Sequence, residues 1–333
     1  YNRRFTRDAD PPFYSPMNIL LVKTSSLGDV IHNLPVVSDL MRRLPDPVID
    51  WCVEESFAAI PRLHPAVKRV IPVAVRRWRK SPLAAATWKE IRAFRNRLRS
   101  GAYDVVLDTQ GLLKSALIAR QARGPVCGYA AEAAREPLAA RFYDETFAIP
   151  KSAHAVDRNR WLAAAAFDYP GDLTLDYGLQ PPGFAADWLP PGPYAVLLSA
   201  TSRDDKLWDE ASWKLLAHEL AFRGMRTVFP AGNPVERERA ARLVAGVPDA
   251  IAAPPMDLAN LAGLLAGARL CVGVDTGLTH LAAAVAVPTV ALYTATAPER
   301  TGVVSTAFFR NLGGPHMPPT AQEVIDSLGP VLG

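Results

Sequence analysis

Residues Ile19 to Val22 form a continuous apolar run, and a strand written that way has both faces buried. The run passes into the polar stretch Lys23-Thr-Ser-Ser26, whose hydroxyls suit a helix cap. Gly28 allows a tight turn, and Val30, Ile31, Leu34 and Val37 then recur at helical spacing. A doubly buried strand feeding a helix belongs to a parallel sheet covered on both faces, so the opening commits the chain to an α/β architecture. Loops at the carboxyl ends of such strands are where open sheets bind ligands. Asp29 sits in that loop, close to Lys23 and its neighbouring hydroxyls.

The same alternation continues. Strands are predicted at 48–53, 67–73 and 103–108, with helices at 57–63, 86–98, 112–122 and 155–167. Pro170, Pro181, Pro182, Pro190, Pro191 and Pro193 then interrupt any regular element. Beyond them the pattern restarts, with strands at 194–199, 226–230, 270–274 and 289–293. Helices are predicted at 209–222, 234–244, 257–266, 277–285 and 321–328. A chain of 333 residues fits two domains of ordinary size. The expected division is a mobile polar extension at 1–16, a first Rossmann-like domain at 17–175 and a Pro/Gly-rich linker at 176–193. A second Rossmann-like domain follows at 194–320, then a terminal helix at 321–333 that reaches back across the linker.

Composition narrows the class. Hydrophobic residues make up 49% and charged residues 21%, as in a soluble globular protein. No apolar run reaches bilayer length, and the N-terminus has no signal-peptide pattern. Cys52, Cys127 and Cys271 are distant from one another and set in or near apolar runs, which reads as buried free thiols in a reducing compartment. Cys and His form no metal-ligand spacing. Asp8 and Asp10 mimic a metal-binding pair but lie in the aperiodic extension, where chance explains them. Neither domain start carries Gly-x-Gly-x-x-Gly and there is no Walker A sequence, which weakens dinucleotide and P-loop readings.

Three further places concentrate chemistry. In Val272-Gly-Val-Asp-Thr-Gly-Leu-Thr-His280 a buried strand turns at Asp275, Thr276 and Gly277 directly into a helix, whose free N–H groups and dipole favour phosphate. The same residues also make an ordinary N-cap. Ser199 to Trp208 is the equivalent loop of the strand at 194–199, with Thr201, Ser202 and Lys206 able to hold a phosphate or simply to cap a helix. Between Arg76 and Arg99 stand nine Lys/Arg residues and one acid, Glu90. Trp88, Ile91, Phe94 and Leu98 fall on one helical stripe and are predicted to bury, leaving the arginines to solvent. That face is either simply solvated or a dock for an anionic partner through Arg76, Arg77, Arg79 and Lys80. No nucleic-acid module is visible. Asp108-Thr-Gln-Gly-Leu-Leu-Lys114 brings Gln110 and Lys114 to the end of another strand of the first domain. His32 and His280 fall on helices near the same cleft.

The ordered set Lys23–His32, Arg76–Lys80, Asp108–Lys114, Ala134–Leu138, Ala200–Lys206 and Val274–His280 resembles the lipopolysaccharide heptosyltransferase I family over about residues 17–330. The resemblance implies a GT-B architecture, two Rossmann-like domains facing across a cleft. It also implies an inverting, metal-independent transferase that needs no cofactor. The donor would be ADP-L-glycero-β-D-manno-heptose and the acceptor a Kdo residue of Kdo₂-lipid A. By motif position Asp29 matches the catalytic base. Thr201, Ser202, Lys206, Asp275, Thr276, Gly277, Leu278 and His280 fall at the donor, with Glu236 at the ribose and Met256 near the adenine. Ser26, Arg76, Arg77, Arg79, Lys80, Gln110, Lys114 and Arg135 fall on the acceptor side. The motifs depart from the family at Ala231, where an aromatic is common, and at Thr294–Pro298. The resemblance further implies a monomer lying peripherally on the cytoplasmic face of the inner membrane, with no nucleic-acid partner. The alternatives are transfer to a later core heptose, a nucleotide-sugar epimerase or hydrolase on the same plan, and a non-catalytic binder of nucleotide-sugar or anionic lipid.

Overall fold

The computed structural model describes residues 16–332. The extension expected at 1–16, with Asp8 and Asp10, lies outside the described residues except for Pro16. Two six-stranded parallel sheets organise the rest. The first contains β1 (Met17–Val22), β2 (Pro47–Glu54), β3 (Val67–Val73), β4 (Val105–Asp108), β5 (Val126–Tyr129) and β6 (Glu145–Phe147), in spatial order β3-β2-β1-β4-β5-β6. The second contains β7 (Tyr194–Leu198), β8 (Arg226–Phe229), β9 (Ala250–Ala252), β10 (Leu270–Val274), β11 (Thr289–Tyr293) and β12 (Phe309–Gly313), in order β12-β11-β10-β7-β8-β9. Counted from its own first strand, each sheet follows the doubly wound order, which reverses direction beside that strand. The reversals lie at β1/β4 and β7/β10, so the ligand-competent loops of each half follow those four strands.

The apolar runs behave as their composition requires. Ile19 to Val22 and Val196 to Leu198 are buried, each in the middle of its sheet. Strands β5, β6, β9 and β12 have no counterpart in the sequence reading. They are three to five residues long, and β6, β9 and β12 close sheet edges, where no apolar run is needed. The helix predicted to continue from Gly28 is two helices, Leu27–Ile31 and Leu34–Arg43. Pro35 cannot donate to the Ile31 carbonyl, so the ladder breaks at His32 and Asn33.

The Pro-rich stretch is strapped to the first half. Arg42 Nη2 lies 2.6 Å from Asp176, Arg160 donates to the Leu173 carbonyl at 2.6 Å, and the Gln180 N–H donates to the Leu63 carbonyl at 2.8 Å. The terminal helix Ala321–Ser327 does not cross back to the first domain. Its buried face, Ala321, Val324 and Leu328, belongs to the same core as Trp208, Leu216 and Leu220, and Trp208 Nε1 donates to the Pro319 carbonyl at 2.8 Å. That apolar face and indole anchor hold the helix on the second half. All three cysteines are free and buried. No helix among the described residues is long and apolar enough to cross a membrane.

The halves meet along a continuous core in which Val30, Leu34 and Ile60 share a cluster with Leu198, Leu261 and Leu281. The helix Leu27–Ile31 lies against the helix Gly277–Ala284, so the two sheet reversals face each other.

Candidate active site

Asp29 occupies the third position of the helix Leu27–Ile31, where it completes a capping box with Ser26. The Ser26 N–H donates to Asp29 Oδ2 at 2.9 Å. Arg135 adds Nη2 to Oδ1 at 2.5 Å and Nη1 to Oδ2 at 3.3 Å. Burial would raise the Asp29 carboxyl. The charges of Lys23 and Arg135 and the Ser26 N–H outweigh it and hold its pKa at about 2. Behind the carboxylate, buried Lys23 donates to the Thr109 carbonyl at 2.7 Å and to Asn159 Oδ1 at 3.2 Å. Desolvation lowers the Lys23 ammonium to about 8, against the pull of Asp29. Asn159 Nδ2 reaches the His32 carbonyl at 3.1 Å, so one amide ties Lys23 to the end of the helix that carries Asp29. Lys23 lies in the opening motif, but its burial could not be read from a polar tetrapeptide.

Gln110 is buried and faces the backbone. Its Oε1 accepts from the Thr24 N–H at 2.8 Å and the Ser25 N–H at 3.1 Å, while its Nε2 donates to the Ser25 carbonyl. Gln110, expected on the acceptor side, is buried and shapes the loop before Asp29. Lys114 Nζ donates to Ser25 Oγ at 2.9 Å on the same loop.

Across the seam, Lys206 Nζ lies 2.6 Å from Asp275 Oδ2, which also accepts from Thr296 Oγ1 at 2.6 Å. Burial opposes ionisation of Asp275, but these two bonds and the Lys206 charge leave its pKa lowered. Thr296 belongs to the segment where the family motif fails, so nothing in the resemblance marked it. Thr201 Oγ1 donates to the Asp275 carbonyl at 3.3 Å. Thr276 is the N-cap residue of the helix Gly277–Ala284, without a side-chain bond to its free N–H groups. Glu236 also closes a capping box. It accepts from the Gly232 N–H at 2.7 Å and from Asn233 Nδ2 at 2.7 Å, at the start of the helix Pro234–Val244.

Two chambers follow the seam. The smaller, about 480 Å³, is lined by Ser26, Asp29, Arg76, Lys206, Asp275, Gly277 and His280 among others. The larger, about 830 Å³, runs into the second half between Met256, Leu278, Leu258, Ala231 and Glu236. Thr201, Ser202, Thr276, Leu27 and Phe57 border both, so the chambers are continuous. Leu27 and Phe57, which the sequence reading passed over, are the apolar walls that the first half lends to both.

The basic tract divides. Arg76 lines the smaller chamber, with its guanidinium 5.0 Å from the Phe57 ring centroid. Arg79 and Lys80 are exposed and form no ion pair among the described residues. Arg77, expected on the acceptor side, is exposed and ion-paired. Glu55 takes its Nε at 2.9 Å and Glu90 its Nη1 at 2.7 Å, so its charge is already compensated. His280 Nδ1 lies 3.1 Å from His32 Nε2, and His154 stacks edge-on against His32 at 5.7 Å between centroids. Burial lowers all three imidazoles, His280 to about 4.

A sequence model of glycosyltransferase family 9 (heptosyltransferase) matches residues 91–321. Lipopolysaccharide heptosyltransferase 1 of Pseudomonas aeruginosa is 50% identical over 288 residues, which cover 86% of this chain and 81% of that protein. The structure of Escherichia coli heptosyltransferase WaaC with ADP superposes with a TM-score of 0.88 at 41% identity, covering 95% of this chain and all of the other. The same E. coli enzyme with ADP-2-deoxy-2-fluoro heptose gives a TM-score of 0.84 at 42% identity, over 93% and 98% of the two chains.

Proposed function

This chain belongs to glycosyltransferase family 9, the heptosyltransferases, and from that premise we propose that it moves L-glycero-D-manno-heptose from ADP-heptose to a Kdo residue of Kdo₂-lipid A. The observation that carries the reading is the shared small chamber. It puts the carboxylate of Asp29, from the first half, opposite Lys206, Asp275 and the helix N-terminus at Thr276, from the second. A nucleoside diphosphate sugar fits the two chambers end to end. The adenine lies by Met256 and Leu258, the ribose by Glu236, the diphosphate at Thr276 to Leu278 with Lys206, and the heptose before Asp29.

Asp29 takes the proton from the acceptor hydroxyl as that oxygen attacks the anomeric carbon. The bond to the diphosphate breaks on the opposite face, so configuration inverts. Charge collects on departing ADP, where Lys206 and the N–H groups of the helix Gly277–Ala284 stabilise it without a metal ion. For Lys206 to serve there, it exchanges its bond to Asp275 for the phosphates. Arg76, Arg79, Lys80 and Arg135 take the anionic groups of the acceptor on the first half. The protein works as a monomer, peripherally on the cytoplasmic face of the inner membrane.

The test is ADP release from ADP-heptose, with and without Kdo₂-lipid A, in EDTA. Release that requires the acceptor and survives EDTA is the expected result. Release without acceptor would make the protein a hydrolase. Loss of release in EDTA would overturn the metal-independent step.

A further inference from the structure

The helix Ala85–Arg99 does not bury the stripe that its spacing predicts. Phe94 and Leu98 are buried and Ile91 is half-buried, but Trp88 is 59% exposed. Leu83, on the turn before the helix, is 94% exposed. The intervening Ala84, Ala85 and Ala86 are exposed as well, so the turn and first helical turn form an apolar ridge. The ridge is held in shape. Thr87 Oγ1 donates to the Ser81 carbonyl at 2.8 Å, and the Ala84 N–H donates to the same carbonyl at 3.3 Å. Leu83 therefore points outward from a closed turn.

Cations surround it. Arg79 and Lys80 precede the ridge, and Lys89 and Arg92 follow it on the helix, all exposed. The one acid in the tract, Glu90, is occupied by Arg77 and by Trp78 Nε1 at 2.8 Å. None of the four surrounding cations has an ion pair among the described residues. An isolated exposed leucine is ordinary, but a leucine and an indole on one fixed ridge among uncompensated cations suit a particular solvent boundary. The indole fits the headgroup layer, the leucine fits the acyl layer beneath, and the cations fit lipid phosphates.

We propose that the ridge from Arg79 to Arg92 seats the protein on an anionic lipid bilayer, with Trp88 in the headgroup region and Leu83 reaching the acyl layer, Lys89 and Arg92 on lipid phosphates, and Arg79 and Lys80 on the anionic groups of the acceptor held in that bilayer. The proposal rests on the reading of the acceptor as a lipid-linked sugar. Arg76 lines the reaction chamber only three residues before Arg79, so the ridge stands beside the acceptor side of that chamber. A protein seated there meets a sugar that projects from the same bilayer. Each cation near an anionic surface strengthens binding about fivefold, so charge and apolar insertion both contribute measurably.

The test is co-sedimentation of the full chain with phosphatidylcholine vesicles, with and without phosphatidylglycerol. The wild type should bind only the anionic vesicles and lose binding as salt rises. Leu83→Asp with Trp88→Asp should weaken that binding by at least about tenfold, and Lys89→Ala with Arg92→Ala should flatten its salt dependence. Unchanged ADP affinity in each variant checks that it is folded. Turnover of a deacylated, water-soluble acceptor should be unchanged in the Leu83/Trp88 variant, while turnover of vesicle-embedded acceptor falls. Vesicle binding that ignores both variants overturns the proposal. So does a concentration-dependent dimer that the Leu83/Trp88 variant abolishes while vesicle binding persists, because the ridge is then a contact between copies. Failure of the wild type to use the soluble acceptor would remove the functional reading and leave the vesicle result to stand or fall alone.

Discussion

Arg135 and Ser26 between them supply donors to both oxygens of Asp29. A carboxylate held at about 2 is ionised at any working pH, but so many donors make it a reluctant proton acceptor. The Arg135 side chain is 44% exposed, so on the proposed function an anionic acceptor group can compete for it. Replacing Arg135 by Gln removes one of the two charges that outweigh burial, so the Asp29 pKa rises toward the ordinary carboxylate range. The sign follows from protonation. Activity that needs the carboxylate is present above its pKa and lost as pH falls through it, so the acid limb of kcat/KM moves up in Arg135→Gln. Acceptor-independent ADP release should also rise, since water then reaches an unencumbered base. ADP release followed against pH checks both, and an unmoved acid limb would assign the low pKa to Lys23 and the Ser26 N–H. Asp29→Asn is expected to lower turnover by about 10²–10⁴-fold, the usual contribution of a positioned base, with ADP affinity unchanged. Near-normal turnover would remove Asp29 from that role.

At the scale of elements, the meeting of two helix N-termini explains a glycine that the motif alone would assign to phosphate. A Cβ at Gly277 would stand 2.7 Å from Leu27 Cβ and Cγ, and one at Gly28 would stand 3.3 Å from His280 Cδ2. Gly277 is thus required by the approach of one half to the other, and Gly28 is tight against His280, while diphosphate approach to the Gly277 backbone belongs to the functional reading. Gly277→Ala is expected to displace the seam and lower transfer by about tenfold or more, since small misplacement of reacting groups is costly. Leu27→Gly in the same chain, which removes both clashing atoms, should recover part of the loss, measured as kcat with donor saturating. No recovery would mean that the alanine acts on the donor rather than on the seam. The apolar strands, their linking helices and the four loops at the sheet reversals were legible because burial on both faces and helical spacing are written in local pattern. The short strand β5 and edge strands β6, β9 and β12, the outward turn of Trp88 and the return of the terminal helix to the second half were not. Each depends on which distant surface is left uncovered. The same limit hid Lys23, Leu27, Phe57 and Thr296, whose roles come from neighbours more than twenty residues away.

Two sheets of identical strand order placed reversal to reversal make a molecule whose site exists only while its halves are together. Ionisable groups along that seam therefore couple closure to pH. His32 and His154 come from the first half and His280 from the second. His32 Nε2 meets His280 Nδ1, and His154 Nε2 lies 3.0 Å from the Gly302 carbonyl across the seam. Desolvation lowers all three, and the partial support that His280 receives from Asp275 and Asp29 leaves it at about 4. In an opened molecule these imidazoles regain water and their ordinary pKa near 6.5. The open form then binds more protons between those values, so closure is fully supported above about 6.5 and weakens as pH falls toward about 4. Small-angle scattering should show the radius of gyration rising across that window, before any loss of far-ultraviolet circular dichroism. His280→Gln, which keeps a polar side chain at the seam without a titrating group, should reduce the pH response while His32 and His154 retain theirs. A radius constant down to the pH of global unfolding would mean that the hydrophobic core shared by the two halves, rather than its histidines, sets the closed state.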